Sequence, residues 1–600
     1  MCGIAVILSL EQEQRDRFAF QALKMMNHRG PDSNGTWSDE LEVCLGHNRL
    51  AILDLSDAGH QPMISSCGQY IMVFNGEIYN HQELRQKYLP NYEFKSTTDT
   101  ETILELYKIL GSEMQTEMLG MWAFAIWDIQ KNELFVSRDR YGQKPLYFVQ
   151  TDTEIAFASE IEPLLVLLDR VNGDTTMISE YLSSGNYGHL REKTFFSEIE
   201  QIKPGHFAIV SGSQRSIESN SYWRLPVLSE KKGIKATQKY LDELKEIIKQ
   251  AVLSQTLADV PIGVTLSGGI DSSVITGILA KYYPEKFSVF TAQTAGSKYD
   301  ETSYVDAVLN RLGKEKYSLH KIDLNNLMSQ EDLDDLLDIQ EEPFGDPSIM
   351  AHHQLMKLAK ETNTKVILGG QGADEIFLGY GHSVNVILAH CIRCFKFKTI
   401  LDWMINGQLG KNMWARILLA ALFPRLEVYL RSKSRNKRKS QVSGYLNNTP
   451  NDVKLFPLID VNQSWEDSIY GVHIPHLVHY DDRNGMSVST EGRMPFLDHR
   501  IIEKLGELKP SEFVKGAKRK SILRLACEEY LPKEVLNRRD KIGFYTPLQA
   551  ILKSWSLNGN SNNEKELSKY MENPTIISAM NTFRLISYKR WASRYRIKNE

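Results

Sequence analysis

The sequence predicts two domains of different fold class: an α+β domain, followed by an α/β domain with a parallel, doubly wound sheet. The chain has 600 residues, which is too long for a single hydrophobic core. Up to about residue 149 the apolar runs are short and strand-like, and two helical patterns interrupt them. Beyond residue 236, strand-like and helical runs alternate. Clustered strands indicate an α+β domain, whereas regular alternation indicates a parallel sheet.

The first half contains five short apolar runs of the kind that forms strands. These runs are GIAVILSL, YIMVFNG, MWAFAIWDI, ELFVS and PLYFV, and the helical patterns lie near Tyr79–Tyr88 and Thr100–Leu110. In the second half, Leu241, Leu244 and Ile248 recur at helical spacing in TQKYLDELKEIIKQAV. The alternating runs that follow include strand-like IGVTL, helical SSVITGILAKYY, and strand-like FSVFTA, YSLHKI and KVILGG. We place the first domain at residues 1–212, a linker at 213–235 and the second domain at 236–600.

The composition gives no general attraction to nucleic acid or to a membrane. The chain is 42% hydrophobic and 24% charged, with a net charge of −4. No stretch approaches 18 uninterrupted apolar residues, so we expect no transmembrane helix, and neither a membrane nor a nucleic acid as a partner. Six irregularly spaced cysteines indicate a reducing compartment, and we expect a cytoplasmic protein.

The sequence assigns no function to two local features. Cys391 and Cys394 form a lone C-x-x-C, without the second ligand pair that a structural zinc site usually needs. The basic run RSKSRNKRKS, residues 431–440, lacks apolar spacing. We therefore expect a solvated loop there, with phosphate or lipid binding as the less favoured alternative.

Cys2 follows the initiator methionine and precedes a strand-like run, which leaves two interpretations open. A secretory signal is excluded, because no basic residues precede the short apolar run and no cleavage pattern follows it. Cys2 is then either a packing residue at the head of a buried strand or a nucleophile. If Met1 is removed, the α-amine of Cys2 titrates near neutral pH and can act as the general base for its own thiol.

The string VTLSGGIDSS, from Val264 to Ser273, has the chemistry of a phosphate-binding turn. It follows a strand and opens a helix, so backbone N–H groups and the helix N-terminus converge there. It lacks the G-K-[ST] of the Walker loop and resembles the pyrophosphate loop of ATP pyrophosphatases, which cleave ATP to AMP and pyrophosphate. Asp271 is the candidate ligand for Mg²⁺. Asp374, in the later loop ILGGQGADEIF, is a second candidate, with a helix N-cap as its alternative role.

The whole chain resembles the glutamine-hydrolysing asparagine synthetase family. The strings HNRLAILD, FNGEIYNH, STTDTETI, NHRGPDSNGTW, AGHQPM and RDRYGQKPLYF resemble a class II glutamine amidotransferase domain, and FASEIEPLL, FGDPS, MPFLDHRI, RRDKIGFYTPL and SYKRWASRY extend the resemblance toward the C-terminus. The resemblance implies an N-terminal nucleophile hydrolase fold, a four-layer αββα sandwich, followed by an ATP-pyrophosphatase domain. It also implies a homodimer.

The resemblance implies roles for individual residues of this chain. In the glutaminase half it makes Cys2 the nucleophile and implies an oxyanion hole from the Asn75 side chain and the Gly76 N–H. The glutamine-binding residues it implies are Arg49, Ile52, Leu53, Asn75, Gly76, Glu77 and Asp99. The ATP-binding residues it implies are Leu266, Ser267, Gly268, Gly269, Asp271, Ser272, Ala292, Gly369, Gly370 and Lys541. Surface cations are the alternative roles of Arg49 and Lys541.

The function that the resemblance implies is glutamine-dependent asparagine synthesis. Glutamine is hydrolysed at Cys2, and ammonia is channelled to a β-aspartyl-AMP intermediate made from aspartate and ATP, with Mg²⁺ present. The chain departs from the family pattern at Gln371, where an acid is usual, at Leu378, where a glycine is usual, and in FGDPSIMAHH, which lacks the proline that is usual a few residues after the serine. Two alternatives therefore stay open. One is amidation of another carboxylate, such as a surface-polysaccharide sugar acid, and the other is a glutaminase with a weakened synthetase half.

Overall fold

Two antiparallel sheets and one parallel sheet form the framework of the molecule. This computed structural model describes residues 2–184, 192–212, 216–294, 300–324, 328–442, 458–539, 546–557, 564–572 and 574–597. The first sheet has the strand order β10-β8-β9-β1-β3-β2. Its strands are β1 (Gly3–Leu8), β2 (Ser33–Ser38), β3 (Val43–Arg49), β8 (Tyr147–Gln150), β9 (Ile155–Ala158) and β10 (Ile199–Gln201).

The second sheet packs on the first and has the order β12-β11-β7-β6-β5-β4. Its strands are β4 (Met63–Ile64), β5 (Tyr70–Ile78), β6 (Gly120–Asp128), β7 (Glu133–Arg138), β11 (His206–Ser211) and β12 (Ile217–Ser221). The helices of this half are α1 (Gln12–Met25), α2 (His81–Tyr88), α3 (Asp99–Leu110), α4 (Met114–Glu117), α5 (Glu162–Leu165) and α6 (Thr175–Ser184). The two predicted helices correspond to α2 and α3. The domain boundaries stay predictions, although β12 lies in the expected linker and pairs with β11.

The alternation of side chains along the strands produces a four-layer αββα sandwich. Along β1, Ile4, Val6 and Leu8 pack into the core between the sheets, whereas Ala5 and Ile7 pack with α1 residues on the outside. The outer face of the second sheet packs against α3. Because side chains of a strand point alternately to the two faces, one strand serves two cores. The α+β prediction for the first half, and the sandwich that the resemblance implied, are confirmed.

The third sheet is parallel throughout and has the order β15-β14-β13-β16-β17. Its strands are β13 (Ile262–Thr265), β14 (Phe287–Gln293), β15 (Tyr317–Asp323), β16 (Val366–Leu368) and β17 (Glu491–Arg493). The chain proceeds outward from β13 to β15 and then returns to place β16 on the other side of β13. Ligands of such sheets bind where the order reverses, beyond the carboxyl ends of these strands. The loops that follow β13 and β16 meet at this place, and the predicted α/β class is confirmed.

Helices cover this sheet and extend beyond it. They are α7 (Gln238–Ser254), α8 (Ile270–Tyr282), α9 (Thr302–Arg311), α10 (Gln330–Gln340), α11 (Ser348–Glu361), α12 (Ala373–Ile376), α13 (Gly381–Arg393), α14 (Phe397–Asn406), α15 (Lys411–Leu422), α16 (Pro424–Val442), α17 (Val461–Glu466), α18 (His473–Met486), α19 (His499–Gly506), α20 (Ser521–Ala526), α21 (Lys533–Asn537), α22 (Leu548–Leu557), α23 (Glu564–Glu572) and α24 (Ile576–Arg594). Among the described residues, none of these helices combines the length and apolarity that crossing a bilayer requires.

The basic run at 431–440 is helical, so the predicted loop is wrong. The run forms part of α16, which begins at Pro424 and ends at Val442. Lysine and arginine are good helix formers, and they extend a helix that the preceding residues have started. Absence of apolar spacing therefore did not indicate absence of a helix.

Buried ion pairs connect the two halves. Arg29 of the first half donates to both oxygens of Asp482 in α18, at 2.8 and 3.1 Å. Arg483 lies 3.0 Å from Glu160. Both arginine side chains are almost fully buried. Breaking one partner of such a pair typically costs about 3–5 kcal/mol, so these contacts hold the halves in a fixed arrangement.

Candidate active site

Cys2 lies at the start of β1, held at both ends of its own backbone. Its N–H donates to Asn75 Oδ1 at 2.9 Å, and its carbonyl accepts from Arg29 Nε at 3.0 Å. The residue is 8% exposed. Burial raises the pKa of the Cys2 thiol, while a backbone hydrogen bond from Leu50 and the charge of Arg49 oppose that rise. The thiol therefore needs a base to become a nucleophile.

Asn75 and Gly76 place two hydrogen-bond donors beside Cys2. Because Asn75 Oδ1 accepts from Cys2, the amide is oriented, and its buried Nδ2 has no partner among the described residues. Gly76 follows on β5 and lines the same cavity as Cys2. A Cβ at position 76 would lie 2.2 Å from the Met121 carbonyl, so the position has room for glycine alone. An unpartnered amide beside a thiol is the arrangement that an oxyanion hole requires.

Two buried carboxylates form the opposite wall of this cavity. Asp99, at the start of α3, accepts from the Ile78 N–H at 2.7 Å, and burial raises the pKa of Asp99 to about 6. Burial, followed by the charge of Asp99, raises the pKa of Glu77 well above its usual value. Arg493 contacts one Glu77 oxygen at 3.2 Å. Glu77 Oε1 has no partner among the described residues, so the wall can accept a cation.

Arg49 lies at the end of β3 and is 7% exposed. Its guanidinium donates to the Ser56 carbonyl at 2.8 Å and to the carbonyls of Leu53 and Asp54. A cavity of about 40 Å³ brings the predicted glutaminase residues together, and it is lined by Cys2, Arg49, Leu50, Ile52, Leu53, Gly59, Gln61, Phe74, Gly76, Glu77, Thr98, Asp99 and Thr100. Asn75 joins this set through its bond to Cys2.

The second site begins at the turn between β13 and α8. Gly268 has φ +71°, and Gly269 caps α8 without a side-chain hydrogen bond. Ser267 Oγ accepts from the Gly269 N–H at 3.3 Å, and Ser272 Oγ accepts from the Ser267 N–H at 3.2 Å. A left-handed glycine and a helix N-terminus without a side-chain cap are the elements of an anion-binding turn.

Lys520 joins the two predicted metal ligands. Its Nζ lies 2.6 Å from Asp271 and 2.7 Å from Asp374, and the lysine is 5% exposed. Burial lowers the pKa of Lys520, but the two carboxylates outweigh this effect and raise it. Asp374 lies within α12, whose N-cap is Gly372, so the N-cap role is wrong for Asp374.

Cations that sequence reasoning missed surround the turn. A cavity of about 90 Å³ is lined by Ser267, Gly269, Ile270, Asp271, Glu301, Asp374, Gly379, Arg519, Lys520, Arg524, Val535, Arg538 and Arg539. Arg538 donates to the Gly268 carbonyl at 3.2 Å. Lys520 and these arginines lie about 250 residues beyond the turn, so spacing gave no signal for them. Lys541, which was predicted to contact ATP, lies outside the described residues.

A larger cavity of about 320 Å³ adjoins this turn. It is lined by Thr265, Ser267, Asp271, Ser272, Ser348, Ile349, His352, Gly370, Gln371, Gly372, Asp374, Glu375, Tyr380, Leu477, Tyr480 and Asp481. A Cβ at Gly370 would lie 2.9 Å from the Ser272 nitrogen, so the loops after β13 and β16 touch. Leu266 and Gly369 follow β13 and β16 and are next to lining residues in the sequence. Ala292 lies near the end of β14, and none of the three is among the lining residues.

Two of the three departures from the family pattern, Gln371 and Leu378, lie in the segment after β16 that contributes to this cavity. The Gln371 side chain lines it, and its buried Oε1 has no partner among the described residues. Leu378 has φ +51° and is 2% exposed. That backbone region favours glycine, so the leucine is strained at a place where the family pattern has glycine. Gly379 follows, where a Cβ would lie 2.4 Å from Asp374 Oδ1 and 2.5 Å from Lys520 Cε.

Cys391 and Cys394 are free thiols. Cys394 Sγ lies 3.5 Å from His390 Nε2, and burial raises the pKa of Cys391 to about 12. Within the described part of the chain, no group of three or more histidine, cysteine, aspartate or glutamate side chains is arranged to hold a metal ion. Cys391 is buried, whereas Cys394 is half-buried.

Comparisons with known proteins give two family matches and several curated relatives. The glutamine amidotransferase domain matches residues 1–223, and asparagine synthase matches residues 243–582. Asparagine synthetase (glutamine-hydrolysing) 1 of Bacillus subtilis is 30% identical over 597 residues, which cover 92% of this chain and 88% of that protein. Amidase chyE of Penicillium rubens is 26% identical over 567 residues, covering 86% and 83%.

Solved structures give a weaker likeness. A glutamine phosphoribosylpyrophosphate amidotransferase from B. subtilis, complexed with ADP and GMP, matches with a TM-score of 0.28 and 14% identity, over 54% of this chain and 81% of that chain. A TM-score of this size carries no argument about this molecule.

Proposed function

The chain belongs to the asparagine synthase family, and we propose that the cavity at Cys2 and the adjoining cavities at the turn after β13 perform the two half-reactions of glutamine-dependent asparagine synthesis. The proposal rests on the functional groups that lie together in each cavity. The first gathers a thiol, an oriented amide and two carboxylates. The second gathers a phosphate-type turn, two carboxylates and several cations.

In the first cavity, Cys2 would attack the side-chain amide of glutamine. The new C–S bond forms as the C–N bond breaks, ammonia leaves with a proton from the thiol, and water later hydrolyses the thioester to glutamate. The α-amine that removal of Met1 exposes would accept the thiol proton and then donate it to the leaving ammonia. Asn75 Nδ2 and the Gly76 N–H would stabilise the oxyanion, and Glu77 and Asp99 would hold the ammonium of glutamine. Arg49 would pair with its α-carboxylate.

In the second cavity, the turn at 267–272 would bind the pyrophosphate portion of ATP. The β-carboxylate of aspartate attacks the α-phosphorus, and the bond to pyrophosphate breaks. Lys520, Arg524 and Arg538 lie where they would neutralise the leaving pyrophosphate. Ammonia then attacks the acyl carbon, and AMP leaves as asparagine forms. The larger cavity beside Gln371 and His352 is where we place the acceptor.

The carboxylates present fit Mg²⁺ as a companion of ATP. Asp271 and Asp374 both lie within 2.7 Å of one ammonium group, so they converge on one point. Mg²⁺ is usually held by one or two carboxylates together with substrate phosphates. When bound, Mg²⁺ supplies charge neutralisation for the phosphates. We also propose that the protein is cytoplasmic and that it is a homodimer. Light scattering of the purified chain tests the homodimer.

Gln371 favours a different acceptor, a sugar acid in place of aspartate, as the alternative. Gln371 lines the cavity in which the acceptor would lie, and its buried amide oxygen has no partner among the described residues. That oxygen can accept a hydrogen bond from a hydroxyl, which a sugar acid has and aspartate lacks.

Exchange of labelled pyrophosphate into ATP, with one acid present at a time, tests the proposal. We expect exchange with aspartate and background exchange with glutamate, which is one methylene longer. Exchange with a uronic acid but not with aspartate would replace the aspartate assignment, and no exchange with any acid would leave a glutaminase alone.

A further inference from the structure

Helices α14, α15 and α16 expose an unusual set of large apolar side chains. On α14 the exposed residues are Phe397, Leu401, Met404 and Ile405, at 58–71% exposure. Their spacing of four, three and one places them on one helical face. A second set lies on α15 and α16 and comprises Leu418, Leu422, Phe423, Leu426, Tyr429 and Leu430, at 45–61% exposure. We call these residues, together with Phe395, the α14–α16 surface.

These helices bury other apolar residues at the same time. Trp403 of α14 is 3% exposed and donates its indole N–H to the Val514 carbonyl at 2.6 Å. Ile417, Ala420 and Ala421 of α15 are likewise buried in the core. The helices therefore have one face that packs on the protein and a second apolar face that does not. Exposure of single leucines is ordinary, but several large apolar side chains exposed along one helix mark an interaction surface.

The charge of the same segment is strongly positive. Between residues 393 and 440 the sequence holds twelve lysines and arginines and two acids, whereas the whole chain carries a net charge of −4. Lys398, Lys411, Arg416, Arg425 and Lys433 are all exposed. Aromatic and aliphatic side chains flanked by cations are typical of helices that lie in the interface of an anionic membrane.

We propose that the α14–α16 surface binds the face of a bilayer that contains anionic lipids. The apolar side chains enter the boundary between headgroups and acyl chains, and the surrounding lysines and arginines contact lipid phosphates. Each apolar methylene and each cation contributes to binding without any helix crossing the bilayer. The proposal departs from the expectation of no membrane partner, which rested on the charge of the whole chain rather than on its distribution. It does not depend on which acid the enzyme amidates.

Co-sedimentation of the full chain with vesicles tests the proposal. The vesicles are phosphatidylcholine alone, or phosphatidylcholine with about one third phosphatidylglycerol, at low and at high salt. We expect binding to the anionic vesicles that weakens as salt screens the lipid charge. The triple variant Leu401→Asp, Met404→Asp, Ile405→Asp should bind at least ~10-fold less, and reversing Lys398, Arg425 and Lys433 to glutamate should cost about fivefold or more for each residue.

The matched control changes three equally exposed apolar residues elsewhere. Leu10, Phe20 and Leu41 are 72%, 70% and 74% exposed in the first half, and aspartate at these positions should leave vesicle binding unchanged. Glutaminase activity and pyrophosphate exchange of every variant verify the fold of the two halves, because none of these residues lines the cavities described above. Equal loss in the control and the α14 variant, or no binding of the wild type to anionic vesicles, would overturn the proposal. An oligomer that the α14 variant dissociates, without vesicle binding, would assign the surface to a second copy of the chain.

Discussion

The glutaminase and synthetase cavities differ in how the chain assembles them. The glutaminase residues all come from the first hundred residues, and they lie in or next to strands or helices of one sandwich: Cys2, Arg49, Asn75, Glu77 and Asp99. The synthetase cavities draw on residues 265–272, 348–352, 370–380, 477–481 and 519–539. When a site is built from segments that are close together in the sequence, its residues form recognisable motifs. When the segments are spread over about 270 residues, only some of the site residues lie in such motifs.

The two cavities also differ in charge. Burial raises the pKa values of Glu77 and Asp99, and the charges of neighbouring carboxylates, Asp99 beside Glu77 and Glu491 beside Asp99, add to the rise. That cavity therefore favours a cation. In the other site Asp271 and Asp374 share Lys520, and arginines lie around them, so it is prepared for an anion with a counterion. These preferences match the ammonium group of glutamine and the phosphates of ATP. Variants that affect one cavity should therefore leave the other intact.

The largest expected effect is that of Cys2→Ala. Glutamine-dependent amide synthesis should fall by more than ~10³-fold, because no other nucleophile lines the cavity in a comparable position. Synthesis with added ammonium chloride should remain near the wild-type rate. The measurement is product formation with each nitrogen source. Equal loss with both sources, in a protein with unchanged circular dichroism, would contradict the division of labour between the cavities.

The converse variant is Asp271→Asn, which should lower pyrophosphate exchange by ~10²-fold or more. Lys520 keeps its pair with Asp374, so the fold should tolerate the change. Glutaminase activity should be unaffected. Asp242→Asn, at an exposed position of α7, is the control and should change neither activity. Normal exchange in Asp271→Asn would remove this carboxylate from the chemistry.

A smaller effect concerns pH and the binding of glutamine. Carboxylates bind an ammonium group only when ionised, so the contribution of Asp99 to glutamine binding should be full above its pKa of about 6 and should be lost as pH falls through that value. KM for glutamine should then rise by up to about tenfold per pH unit. Asp99→Asn should raise KM at pH 8 and flatten its rise below pH 6, whereas Asp57→Asn, exposed nearby, should do neither. A wild-type KM that does not change between pH 5 and 8 would show that these acids do not bind the ammonium.

The smallest effect expected is that of Gln371→Glu, a few-fold change in AMP release. The variant should gain rate with aspartate if aspartate is the acceptor, because an added carboxylate beside Asp271 and Asp374 helps to hold Mg²⁺ with pyrophosphate. It should lose rate with another acid if the chain is adapted to that acid. Gln371→Met, which removes the polar group at similar size, is the control. Unchanged rates with every acid would show that position 371 lies outside the chemistry.

The sequence predicted strands and strand-following loops well, because alternation and glycine-rich turns are local signals. It did not predict α1. This helix begins with the polar residues QEQRDR, although Phe18, Ala19 and Ala22 form an apolar face that packs under β1. It missed Lys520 and the arginines around it, because only the fold brings α20 and α21 to the turn after β13. The contact of Arg493 with Glu77, which links the second half to the glutaminase cavity, likewise has no local pattern.

We propose that one chain transfers the amide nitrogen of glutamine to aspartate at the expense of ATP. The decisive experiment is incubation with amide-¹⁵N glutamine, aspartate, ATP and Mg²⁺, followed by mass spectrometry. We expect one ¹⁵N-labelled asparagine for each AMP formed, with glutamate released in at least equal amount. Release of glutamate and ¹⁵N ammonia, with neither AMP nor asparagine, would contradict it.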